Sequence, residues 1–90
     1  MNDKRKYPRI NIWVPASIEC YDDNGELFNK KLGVILDISL GGMLIETDDI
    51  IKANYVEIVF VNFKHKLMSI VASIVHSRKS GNGKAKTGLC

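Results

Sequence analysis

Apolar and polar residues alternate with period two along much of this chain. Trp13, Pro15, Ser17 and Glu19 interleave with Val14, Ala16, Ile18 and Cys20. Val56, Ile58 and Phe60 interleave with Glu57, Val59 and Val61, and Met68, Ile70, Ala72 and Ile74 with Ser69, Val71, Ser73 and Val75. A strand turns successive side chains to opposite faces, so this period predicts half-buried β-strands. Residue choice agrees: eleven Ile and seven Val stand against four Ala. Branched side chains lose rotamer freedom in a helix and pack well on a pleated sheet. The same richness makes the segment 66–76 a strand rather than a buried helix.

Turn residues divide the pattern. Asp23-Asn24-Gly25-Glu26 predicts a hairpin of type I′, since Asn-Gly accepts positive φ at both central positions. Asp37-Ile38-Ser39-Leu40-Gly41-Gly42 separates strands at 32–37 and 43–47. The stretch 48–53 is a loop or one helical turn, and Ser80-Gly81-Asn82-Gly83 precedes a last strand from Lys84. Six short strands and no long helical pattern predict an all-β fold, a small six-stranded antiparallel barrel, because closure removes exposed sheet edges. The expected inward residues are Val14, Ala16, Ile18, Val34, Leu36, Leu44, Val56, Ile58, Phe60, Ile70 and Ile74, with Trp13 in the core or against the N-terminal arm.

Size narrows the function classes. Ninety residues make one domain, and 46% hydrophobic with 26% charged residues is globular composition. No apolar run reaches the ~18 residues of a membrane span. The charged N-terminus leads into no apolar stretch of a signal peptide, so the expected compartment is the cytoplasm, without membrane insertion. Cys20 and Cys90 have no metal-ligand spacing, and Cys20 is expected to pack as a small hydrophobe. His65 and His76 sit in strand-like segments with no nucleophile–base pattern around them. No catalytic residue, metal or cofactor is expected, and the chain reads as a binding module rather than an enzyme.

Charge is uneven. Residues 1–9 carry +3, residues 10–63 carry −6 and residues 64–90 carry +6. Two segments inside this split carry chemistry. The first is Lys4-Arg5-Lys6-Tyr7-Pro8-Arg9, holding two of the chain's three arginines. Arginine presents a planar fork to phosphates and base edges, and Pro8 disfavours helix at Tyr7, so the arm is expected to be extended. Alone, it also reads as a solvated basic terminus. The second is the turn at 37–42. Its glycines permit a sharp reversal, and Asp37 and Ser39 are residues that cap turns through their own backbone. The functional alternative for Asp37 is to accept N–H donors from a guanine edge, with Ser39 adding a bond and Gly42 admitting close backbone approach.

Taken together, the two segments resemble the PilZ domain, the bacterial receptor module for cyclic di-GMP. That family carries RxxxR on an N-terminal arm, matched here by Arg5-Lys6-Tyr7-Pro8-Arg9, and [D/N]xSxxG beyond it, matched by Asp37-Ile38-Ser39-Leu40-Gly41-Gly42. Each motif alone is weak, and both in order on a six-strand pattern are specific. The resemblance implies a basic arm over residues 1–9 and a barrel over 10–90, with the ligand on the barrel's outside. It implies that Arg5 and Arg9 contact phosphates and guanine O6/N7 edges, that Asp37 and Ser39 read another guanine edge, and that Gly41 and Gly42 shape the turn. Lys4 stands where many members have a further Arg, a place that influences whether one or two ligand molecules bind; its length and charge favour two.

The implied function is non-enzymatic. Cyclic di-GMP orders the arm, and an unidentified downstream protein reads the changed surface; family outputs include motility, pili and exopolysaccharide. The chain is expected to be a monomer or weak dimer. Two alternatives stay open. One is a basic β-barrel that binds RNA or single-stranded DNA, against which stands an aromatic content of 8% with no stacking ladder. The other is a PilZ-type protein-interaction domain without ligand binding.

Overall fold

The computed structural model describes residues 8–90. The strands are β1 (Ile10–Tyr21), β2 (Leu27–Ser39), β3 (Gly42–Thr47), β4 (Tyr55–Val61), β5 (Leu67–Lys79) and β6 (Ala85–Leu89). All pair antiparallel, and they close into a barrel in the order β1-β2-β3-β6-β5-β4. The last strand inserts between β3 and β5, and β4 returns to β1 through residues 17–21 against 55–59. The segment 48–54 is irregular and contains no helical turn.

Three hairpins share one construction. The Asp22 amide donates to the Glu26 carbonyl, and the Gly25 amide donates to the Asp22 carbonyl. Asn62 with Lys66 and His65, and Ser80 with Lys84 and Gly83, repeat both bonds. The fourth residue of each loop has positive φ: 79° at Gly25, 63° at His65 and 82° at Gly83. The first hairpin is therefore not of type I′, because Asn24 keeps negative φ and only Gly25 crosses over. Asp22 directs this choice: its carboxylate accepts from the Asn24 and Glu26 amides, which fixes a longer loop. His65 holds the left-handed conformation with a side chain that disfavours it. His65→Gly should raise unfolding free energy by about 0.5–1 kcal/mol in urea denaturation, net of the added chain entropy. A loss of stability would show that the imidazole itself supports the loop.

The core is built from Ile18, Ile35, Ile45, Val56 and Ile58, all essentially inaccessible to solvent. Cys20 packs among them, and burial pushes its thiol pKa up. Val14, Phe60, Ile70 and Ile74 pack partly buried against this centre, as the period-two pattern predicts. On β2 and β3 the expected face is inverted. Ile35, Met43 and Ile45 point inward, in place of Val34, Leu36 and Leu44. Gly33 marks the phase of β2. A Cβ at Gly33 would lie 2.6 Å from the Glu46 carbonyl oxygen and 2.7 Å from Ile18 Cδ1, so position 33 faces a filled interior. Beyond it, Leu36 is an extra residue between the Ile35–Ile45 and Asp37–Leu44 pairs, which switches the faces of β2 after Ile35. β3 has no inserted residue and alternates regularly, with Met43 and Ile45 inward. Trp13 lies outside the core, 69% exposed, where β1 sets two residues against Leu36.

The Thr47 end of the barrel is closed by polar groups. Ser77 Oγ and Thr87 Oγ1 lie 2.7 Å apart, and the Ile51 amide donates to Ser77 Oγ at 2.9 Å, drawing Ile51 into the opening. Outside this plug Lys84 pairs with Asp48 and Lys79 with Asp49. The Lys84 ammonium, hydrogen-bonded to Asp48, holds that carboxyl below its usual pKa, and Lys79 does the same for Asp49. Part of the basic C-terminal segment thus meets the acidic middle here. Such exposed pairs add little stability.

Candidate functional site

At the Gly42 end of β3 the ladders are irregular. β1 sets Ile12 and Trp13 against Leu36, β2 carries Leu36 as an extra residue against β3, and β5 carries Val75 as an extra residue against β6. Each bulge rotates the strand beyond it and re-aims its side chains. The result is an open cleft of about 270 Å³ on the barrel's outside, lined by Arg9, Asp37, Ser39, Gly41, Gly42, Met43, Leu44, Val75, His76, Gly88 and Leu89.

Five of the residues singled out from the sequence meet here: Arg9, Asp37, Ser39, Gly41 and Gly42. Lys4 and Arg5 lie outside the described residues. Arg9 precedes β1 and Asp37 follows the bulge of β2, so the two motifs converge although 27 residues separate them. Arg9 Nη1 stands 3.7 Å from Asp37 Oδ2; the guanidinium side chain is 46% exposed and the carboxylate side chain 11%. A half-exposed cation thus sits beside a largely buried carboxylate. Ser39 Oγ accepts the Gly41 amide at 3.2 Å and donates to the Gly42 carbonyl at 3.5 Å. The hydroxyl therefore holds the turn, and its donor bond is long enough to be exchanged. Gly42 has a packing role of its own: a Cβ there would lie 2.2 Å from the Leu89 carbonyl oxygen on β6.

Sequence reasoning left His76, Val75 and Leu44 out of this cleft. Alternation continued along β5 places His76 on the inner face, and Leu44 is expected there too. The bulge at Val75 turns His76 outward, and an inserted residue leaves no mark in an apolar run; Leu44 faces outward by the regular alternation of β3, with Met43 and Ile45 inward.

The arrangement offers a planar cationic fork, a shielded carboxylate, a hydroxyl and an apolar floor. Together they suit a ligand carrying both anionic groups and N–H donors. Among the described residues no helix is long and apolar enough to cross a membrane. The sequence model of the PilZ domain matches residues 3–90. Among solved structures, the PilZ domain with c-di-GMP of YcgR from Escherichia coli superposes with a TM-score of 0.63. The match covers 97% of this chain and 76% of that one at 14% identity, so what it shows is the shared fold. No curated protein matches the chain.

Proposed function

This chain belongs to the PilZ domain family, and from that premise we propose that it is a non-enzymatic receptor module for cyclic di-GMP, working in the cytoplasm. The observation that carries the reading is the convergence of Arg9 and Asp37, from two motifs distant in sequence, on one outer cleft. YcgR's domain, of the same fold, is a structure with c-di-GMP.

The chemistry follows from the pair. Cyclic di-GMP carries two phosphates and two guanines. On binding, the Arg9 guanidinium swings from Asp37 to a phosphate or to a guanine O6/N7 edge, both of which accept its paired N–H donors. Asp37 then accepts from the guanine N1–H and 2-amino group. The exchange is cheap, because a half-exposed ion pair at 3.7 Å is worth about 1 kcal/mol or less. Ser39 contributes its hydroxyl from the turn. Lys4 and Arg5 extend the cationic surface, and residues 1–9 close over the ligand, which is held as two stacked molecules. Ordering that arm changes the surface that a partner protein reads.

Titration calorimetry with cyclic di-GMP, against GTP and cyclic AMP, tests the reading. Arg9→Ala should weaken binding at least tenfold, since a charge-assisted hydrogen bond is worth about 1.5–3 kcal/mol. Unchanged affinity in Arg9→Ala, or no binding to the wild type, contradicts it.

A further inference from the structure

We propose that His76 is a stacking plate for a guanine base, a third wall of the cleft beyond the two motifs. The inference rests on the ligand reading above and deepens it.

Its first support is the bulge of β5. Ile74 pairs with Leu89 and His76 with Gly88, leaving Val75 unpaired between them. Ile74 packs against the core, and Ser77 turns inward to meet Thr87. Two residues between inward neighbours must both face outward, and Val75 and His76 are both exposed and both line the cleft. Without the inserted residue, alternation would turn position 76 into the barrel.

The second support is the seat of the ring. A Cβ at Gly88 would lie 2.7 Å from His76 Nε2, 3.0 Å from Cε1 and 3.2 Å from Cδ2. An in-line approach to Nε2 would leave the two carbons much further away than the nitrogen. Nearly equal separations require the point to lie above the ring plane. The imidazole therefore rests with one face on the bare backbone of Gly88, and any side chain at 88 would lift it. One face is covered by β6, and the residue remains exposed in a cleft that also holds Arg9 and Asp37. A supported flat ring beside a guanidinium and a carboxylate is a platform for a purine whose edge those groups read.

The test is calorimetry with cyclic di-GMP on His76→Ala, His76→Phe, Gly88→Ala and the His76→Ala/Gly88→Ala double variant, each checked by thermal melting. His76→Ala should lose about tenfold in affinity, typical of one base–aromatic stack. His76→Phe should stay within about threefold of wild type, because a flat ring is retained. Gly88→Ala should weaken binding in the wild-type background and add nothing once His76 is gone, as coupled neighbours do. Wild-type affinity in His76→Ala, or His76→Phe as weak as His76→Ala, overturns the stacking role while leaving the receptor reading intact. No binding by the wild-type chain overturns both.

Discussion

Gly42→Ala should lower the unfolding free energy by about 3 kcal/mol, the upper end of overpacking costs. The added methyl group would meet the Leu89 carbonyl oxygen at 2.2 Å. That oxygen belongs to the backbone of β6, which pairs with β3 through Met43–Leu89 and Leu44–Gly88. Relief requires the two strands to part where the barrel closes. A domain of this size has only about 5–10 kcal/mol in hand. Gly88→Ala is the control on the same pair of strands. Its methyl meets only the His76 ring, the far end of a side chain that can rotate away, so its cost should stay below about 1 kcal/mol. Urea denaturation of the two variants measures the contrast. Equal costs would show that the tight approach at Gly42 does not hold the closure.

Asp37→Ala should reduce affinity for cyclic di-GMP by about a hundredfold, more than Arg9→Ala. In the proposed site the substitution removes two charge-assisted bonds to one guanine edge together, at about 1.5 kcal/mol or more each. The carboxylate is the less replaceable partner, being largely buried where Arg9 is half exposed. Asp37→Asn keeps one acceptor and should fall between wild type and Asp37→Ala. Folding should change little, because the ion pair lost is a weak one. Calorimetry beside a melting curve separates the two effects. Wild-type affinity in Asp37→Ala would remove the carboxylate from the site.

The fold was legible in the sequence where strands are regular. Val14, Ala16, Ile18, Val56 and Ile58 lie inside as their alternation predicts, and the turns fall at 22–26, 40–41 and 80–84. It was illegible at the bulges. Leu36 and Val75 look like any other apolar strand residue, yet each reverses the faces after it on its own strand; at Val75 this hid His76 from the cleft, while the apolar run Met43-Leu44-Ile45 fits either phase and so hid Leu44. Gly33 and Gly88 were the available signals. Neither takes positive φ; each marks a place where a neighbouring chain or ring sits too close for a Cβ. The two motifs fixed Arg9, Asp37, Ser39, Gly41 and Gly42 because residue type and spacing carry their chemistry directly. The charge split was only half readable. Lys79 and Lys84 find Asp49 and Asp48 at the far end of β3, a pairing that only the β3–β6–β5 order creates.

The central claim is that the N-terminal arm and the turn between β2 and β3 form one ligand site on the barrel's outside. Amide chemical-shift mapping of the 90-residue chain during titration with cyclic di-GMP tests it directly. The account predicts saturable shifts at Arg9, at 37–42, at Val75 and His76 and at Gly88, with 48–52 and 79–84 unmoved. Shifts centred on the lysines of 79–84, or none at saturating ligand, would contradict it.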